Sequence, residues 1–232
     1  MSNKLISFYF RLFHFFDHTA CDVDFQKRLG AYVIDWIVGG ILTGLPAVLL
    51  YGAITGRNDM FSDLYVFETL GFTRFHALLA GLLCIVCALF YYVYVPLKIY
   101  KGQTLGKHIV GFKIVKLNDE DVDLKTLCIR QVLGMFLLEG AVLIVSNYIR
   151  QLTSLSLNYY VDYYWAIAGM IITFISILIV LKTPSHRAIH DYLAKTKLIV
   201  IKDKDSSKEE PTSHKNMTKK NVTKKNMSKN RK

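Results

Sequence analysis

Asp35 sits four residues into an apolar run of 21 residues, Ala31 to Tyr51, and follows Arg28 by seven positions. About 20 such residues suffice to cross a bilayer. A carboxylate inside the run costs on the order of 3 kcal/mol at mid-membrane and less near the interface, so it marks a functional position by default. Seven residues are two helical turns, about 20° of net rotation, so Arg28 and Asp35 share one helix face, roughly 10 Å apart along the axis. That is too far for a tight ion pair without long side-chain reach, and Lys107, Arg130 or Glu139 is the kind of third group that would bridge the two or compete for one of them. Glu139 interrupts a second apolar stretch in the same way. Desolvated carboxylates of this kind exchange protons or hold cations.

Other chemical readings are weaker. Gly102-x-x-x-Gly106-Lys107-His108 is one residue short of a phosphate loop and has His108 where Ser or Thr would meet magnesium, so no nucleotide site is expected. His186-x-x-x-His190-Asp191 has the spacing of a helical metal pair but lacks the zincin glutamate and a sure further ligand, so no metal is expected. No Ser-His-Asp set or acid–base carboxylate pair stands out. The chain is therefore read as having no catalytic residues, no cofactor and no enzyme activity.

The elements that must position these groups are membrane helices. Of 232 residues, 52% are hydrophobic, and they collect in four blocks rather than alternating with polar faces. The blocks predict helices over about 31–51, 77–97, 131–149 and 163–181. The third is marginal: nine Leu, Ile, Val or Phe in 132–145 favour insertion by roughly 3–5 kcal/mol. An ionised Glu139 would cancel most of that, on the order of 3 kcal/mol, unless it faces the bundle interior. Of the 29 Lys and Arg, four precede the first block, two and seven fill the next two gaps, one (Arg150) lies in the third, and fifteen follow the last block. Basic residues in short loops mark the cytoplasmic side, so this alternation predicts four crossings with both termini on the cytoplasmic side. Cys84 and Cys87 fall within the second block and Cys21 and Cys128 on the inner side, so no disulfide is expected.

Finer features follow along the chain. Residues 1–24 carry an apolar stretch, Leu5 to Phe16, broken by Arg11 and His14; it reads as an interfacial helix rather than a cleavable signal. Gly40-x-x-x-Gly44 would let another helix approach closely, or is merely tolerated glycine. Tyr91, Tyr92 and Tyr94, followed by Pro96 and Lys98, read as an aromatic belt closed by a helix stop. The cytoplasmic insertion 101–126 predicts a short helix from Thr104 to Val110, a strand over 112–117, a turn at 118–121 and a second short strand at 122–124. A further strand over 197–202 would pair with 112–117, since isolated strands expose their edges. Residues 203–232 form a low-complexity tail; from Pro211 it holds a loose KNMTK-like repeat with eight basic and no acidic residues. The tail is read as disordered, with an attraction to anionic lipid or no specific partner, and not as a nucleic-acid site.

Three stretches together carry a resemblance: "QKRLGAYVIDWIVGGIL" on the first span, "GQTLGKHIVGFKIV" after the second, and "HRAIHDYLAKTKLIV" after the last. In order and spacing they resemble the RDD family of bacterial integral membrane proteins, over about residues 25–202. The resemblance implies Arg28 as the arginine and Asp35 and Asp191 as the two aspartates of the family pattern. It also implies a role for the turn matched by Gly102, Thr104, Gly106 and Lys107. It implies an all-α polytopic membrane fold, here with four transmembrane helices and a small cytoplasmic β element, and transport of ions or small ligands. Taken with the cost of the buried charges and the pairing of the two strands, the binding residues expected are Arg28, Asp35, Glu139 and Asp191, supported by Thr104, Gly106, Lys107 and Arg130, around one inner vestibule. The leading expectation is a transporter of a monovalent cation against protons, or of another small solute. The alternative is a membrane scaffold or accessory subunit. Four helices make a thin pathway, so either a homo-oligomer or a membrane partner protein is expected beside the lipid bilayer.

Overall fold

A computed structural model describes residues 23–183 and 185–201. The interfacial segment and Cys21 before residue 23, Pro184, and the basic tail from residue 202 lie outside the described residues. Three helices are long and apolar enough to cross a membrane: Phe25–Thr55, Arg74–Ile99 and Asp162–Lys182. The first, α1 (Phe25–Thr55), begins after Asp24, whose carboxylate accepts the Phe25 N–H, and ends at Gly56, where φ of +65° stops the helix and the glycine N–H returns to the Gly52 carbonyl. Its Gly40 and Gly44 face Ile144 and Tyr148, so the small-residue stripe receives a neighbouring helix. A short helix α2 (Val66–Thr69) lies in the following loop.

The second span starts as α3 (Arg74–Leu89) and widens into a π-helical segment, π1 (Phe90–Ile99), that contains Pro96. Wide turns of this kind are rare and gather at functional sites. The Tyr91 and Tyr92 side chains are buried there, and only Tyr94 of the three is half-exposed. The expected aromatic belt is thus corrected to an inward-facing tyrosine pair. After π1 come α4 (Leu105–Val110), with Gly111 as its left-handed stop, and β1 (Phe112–Lys116).

The third apolar block is not one helix. It runs as α5 (Leu124–Leu127), a second π-helical segment π2 (Cys128–Leu138), a break at Glu139–Leu143, and α6 (Ile144–Leu157). The expected continuous helix over 131–149 is therefore corrected to two pieces. The break is where Glu139 turns inward: its carboxylate accepts the His190 backbone N–H at 2.7 Å and meets His190 Nδ1 at 2.8 Å. Carbonyls released by the break find donors from flanking helices. Trp165 Nε1 donates to the Leu137 carbonyl at 3.0 Å, Thr173 Oγ1 to that of Glu139 at 2.7 Å, and Trp36 Nε1 to that of Val142 at 3.0 Å. A broken helix is tolerated at membrane depth only when its freed backbone groups are satisfied within the protein. Together the two pieces run the length of the bundle. Leu127 packs in one apolar cluster with Ala31 and Val93, Met135 and Phe136 in the next with Ala88 and Tyr92, and Leu152 and Leu155 in the last with Ala47 and Ala77.

The last span is α7 (Asp162–Lys182), whose first residue is tied to the middle of α6 by a part-buried Arg150–Asp162 ion pair of 2.8 Å. After it come α8 (Ile189–Leu193) and β2 (Thr196–Val200). β1 and β2 pair antiparallel, with Phe112 opposite Val200 and Lys116 opposite Thr196. Phe112, Ile114 and Leu198 turn inward onto Ala31 and Leu127, while Lys113 and Lys197 reach outward to Asp121 and Asp119. Residues 122–124 form no strand; Val115 and Asp121 share one isolated bridge. Asp123 instead caps α5, accepting the Thr126 N–H at 2.8 Å, and the chain is drawn into a helix where the sequence predicts a return strand.

The capped break yields a test. Thr173→Val keeps side-chain shape and removes the donor to the Glu139 carbonyl, so it should cost about 1–3 kcal/mol of stability, read as a lower unfolding midpoint of the detergent-purified protein. An unchanged midpoint would show that the break does not depend on this bond.

Candidate functional site: a buried charge cluster

Asp35 is 4% exposed on α1 and its carboxylate is saturated. Oδ1 accepts the Tyr91 hydroxyl at 2.7 Å and the Gly106 backbone N–H at 2.8 Å. Oδ2 accepts Lys107 Nζ at 2.9 Å and the Thr104 hydroxyl. Tyr92 adds a bond from its hydroxyl to the Asp35 backbone carbonyl at 3.0 Å. Two local features make this possible. The wide turn of π1 sends consecutive tyrosines to the same residue. Gly106 lets the start of α4 press against α1: a Cβ there would collide with the Ala31 carbonyl and lie 2.8 Å from Asp35 Oδ1. Alanine would thus displace both the backbone donor and the Lys107 ammonium.

Asp191 is fully buried on α8 and is shared by two arginines. Arg130 of π2 places Nε and Nη2 at 3.0 and 2.6 Å from Oδ1, and Arg28 of α1 places Nη2 at 2.7 Å from Oδ2. The Ala188 N–H also donates to Oδ2, at 3.1 Å, and the second Arg28 terminal nitrogen donates to the His186 carbonyl. Burial pushes the Asp191 carboxyl up, but Arg130, His190 and Arg28 outweigh it and hold the group well below the usual carboxylate range. Gly134 supplies the required closeness: a side chain there would run into the His190 Cβ. His190, on the same helix as Asp191, holds Glu139, and its Nε2 stands 3.8 Å from Asp191 Oδ1.

Lys107 belongs to both halves. Its ammonium bonds to Asp35 and, at 2.9 Å, to the Thr104 hydroxyl. Burial pulls it down from the usual lysine value, with the Arg130 charge adding to the fall and Asp35 opposing it. The cluster thus balances three carboxylates (Asp35, Glu139 and Asp191) against three cations (Arg28, Lys107 and Arg130), with His190 between. A cavity of about 280 Å³ opens beside it, bordered by Arg28, Asp35, Lys107, Arg130, Glu139 and His190.

All eight residues singled out from the sequence therefore meet at one end of the bundle, but the partners differ from the simplest pairing. Arg28 and Asp35 share a helix face without touching: Arg28 goes to Asp191 and Asp35 to Lys107. The axial separation of the two keeps them apart, and Lys107 is the third group that takes Asp35. Distance along the axis decides it, because each group finds a closer partner on another element. Sequence reasoning missed Tyr91 and Tyr92 as donors and His190 as the partner of Glu139. Nothing in the order Tyr-Tyr-Val-Tyr-Val-Pro separates an inward tyrosine from a belt tyrosine unless the wide turn is known. His186 precedes α8, and its Nδ1 lies 2.7 Å from the Val180 carbonyl while His190 bonds to Glu139. The two histidines therefore do not form an i, i+4 pair, and among the described residues no group of three or more His, Cys, Asp or Glu is placed to hold a metal.

The Asp191 hub should be costly to break. Asp191→Asn leaves two buried arginines short of counter-charge, an expected loss of about 3–5 kcal/mol. The sign with pH follows from the depressed folded value. The Asp191 contribution is complete above the unfolded carboxylate pKa of about 3.9 and is lost as pH falls through the lower folded one. Unfolding of both proteins in detergent between neutral and strongly acidic pH checks this: the gap between them should close only on the acid side, and a gap that is constant with pH would contradict it.

No curated protein and no solved structure is detectably similar to this chain. The model of the RDD family matches residues 23–195, from the start of α1 to the residue before β2, and so spans every member of the charge cluster. That match covers well over half of the sequence, and the chain belongs to the RDD family.

Proposed function

We propose that this chain is a multi-pass transporter of a small solute, a monovalent cation exchanged for protons being the first candidate, with Asp35 as the exchanging group. The observation that carries the reading is the Asp35–Lys107 pair beside the cavity. A cation arriving at Asp35 would take the place of one ammonium, and Lys107 would keep its bond to Thr104. Burial already draws the Lys107 ammonium toward proton release, so loss of its proton as the cation binds keeps the local charge constant. Glu139, also on the cavity, offers a second carboxylate on the route. Proton-coupled flux of sodium or potassium into vesicles holding the purified chain tests the idea: Asp35→Asn should reduce it to background. Undiminished flux in that variant removes Asp35 from the role.

In the same reading the segment from Leu124 to Leu157 counts as a fourth, interrupted crossing, with α4, the sheet and both termini on the cytoplasmic side of a bacterial inner membrane. The distribution of basic residues supports this orientation. A cysteine placed at Lys113, on the sheet, should react with a membrane-impermeant maleimide only after the cells are opened. Labelling of intact cells from outside would invert the arrangement.

A scaffold or accessory role draws on a different observation: every carboxylate oxygen in the cluster has a donor, as a purely structural knot would require. Absence of flux together with a stable complex with an unrelated membrane protein would favour it.

A further inference from the structure

His190 is the titratable group of the cluster that exchange at Asp35 leaves unused. Its side chain is 12% exposed, and both ring nitrogens face carboxylates: Nδ1 lies 2.8 Å from Glu139 Oε2 and Nε2 3.8 Å from Asp191 Oδ1. The ring borders the cavity, as does Glu139. Charges of both signs surround it. π2 brings Arg130 and α1 brings Arg28, both through Asp191, while Tyr32, Asp35 and Lys107 stand on the cavity wall. Arg187 bonds to the Asp191 carbonyl. α7 offers the Ser176 hydroxyl, which bonds to Glu139, and β2 offers Thr196, while Lys197 of β2 is held outward by Asp119. Among these partners of Glu139 and Asp191 only the imidazole exchanges a proton near neutral pH, since guanidinium groups keep theirs. The two Glu139 oxygens therefore differ. Oε1 accepts the His190 backbone N–H at 2.7 Å, a donor that does not titrate, whereas Oε2 meets the ring.

We propose that His190 carries a second exchangeable proton of the site, released when a monovalent cation takes its place at Glu139. Before the cation arrives the ring is an imidazolium, with its Nδ1–H donating to Glu139 Oε2 and its Nε2–H turned toward Asp191. A cation reaching Glu139 from the cavity displaces the ring's charge from Oε2. The proton leaves to water and the ring remains as neutral imidazole. One positive charge has then replaced another, so the balance of the cluster is unchanged. Glu139 stays in place throughout, because the His190 backbone N–H still holds Oε1. The freed carbonyls of Leu137, Glu139 and Val142 also keep their donors from Trp165, Thr173 and Trp36, so the break persists when the ring discharges. Asp35 has its own donors and its own ammonium, and the two positions exchange separately. The inference rests on the transport reading for its purpose, but its readout is the proton on one ring.

The test uses the full chain, purified in detergent with isotope-labelled histidine. Its ring nitrogens are followed by NMR as pH is raised, first in N-methylglucamine chloride and then in sodium or potassium chloride of equal strength. His190 is assigned as the signal missing from His190→Asn, which keeps a neutral donor near the Nδ1 position. If that variant does not fold, changing the other histidines in turn assigns the signal by elimination. The ring should pass from imidazolium to neutral imidazole, and sodium or potassium should lower the midpoint by about one pH unit or more, a tenfold competition between cation and proton. Asp35→Asn should leave that shift intact, and Glu139→Gln should abolish it. A ring that does not titrate, or a midpoint indifferent to both cations, overturns the proposal; both are read on the unaltered chain and decide even if a variant does not fold. A shift that survives Glu139→Gln overturns it as well. So does a shift lost in Asp35→Asn, which would make the ring a reporter of the Asp35 position. Absence of flux in vesicles with the shift retained would remove the transport reading and leave the proton site standing.

Discussion

The fold depends on one requirement: carboxylates buried among apolar helices must collect donors from parts of the chain far away in sequence. An unpaired buried charge is among the most costly features a protein can carry. Asp35 gathers donors from π1 and from the α4 turn, and Asp191 gathers them from α1, π2 and its own helix. Each carboxylate is thereby a joint, holding a span to an element outside the apolar blocks. The two joints are coupled, because Lys107 feels the charges of Asp35, Arg130 and Asp191 together.

The same requirement explains the irregular helices. π1 and π2 each carry residues that serve the cluster, Tyr91 and Tyr92 on the first and Arg130 on the second. Glu139 ends π2 because its side chain is claimed by α8, and the backbone that follows is supported by Trp36, Trp165 and Thr173. Irregular backbone therefore appears in π1 and π2, which supply donors to the cluster, while α1, which carries Arg28 and Asp35 themselves, stays α-helical from Phe25 to Thr55. The small sheet has a related role: by pairing β1 with β2 it brings the end of the described chain back beneath α1 and seats Asp191 beside Arg28.

Much of this was legible beforehand, and for local reasons. The spans α1, α3–π1 and α7 follow from unbroken apolar runs, the α4 helix and β1 from short patterns set off by Gly102 and Gly111, and β2 from a short apolar run between lysines. Asp35 and Glu139 stood out because hydrocarbon rejects charge. The cost calculation also exposed the third block as marginal, and the chain breaks at the residue that made it so. What could not be read was pairing. Arg28 and Asp35 lie on one face of one helix, yet each prefers a partner supplied by another element at closer range. Val122 to Leu124 has the composition of a strand, but a neighbouring aspartate caps a helix there instead.

By itself, then, the sequence determined which segments are apolar, where charge must be sheltered, and the family pattern of one arginine and two aspartates, since each is a property of residue type and short-range spacing. Tertiary structure alone decided that Lys107 holds Asp35, that Asp191 is shared by Arg28 and Arg130, and that Tyr91 and Tyr92 turn inward. Those outcomes rest on distances of about 3 Å between groups up to 163 positions apart. Only packing of the helices brings such groups together, and only there does burial make one partner worth more than another.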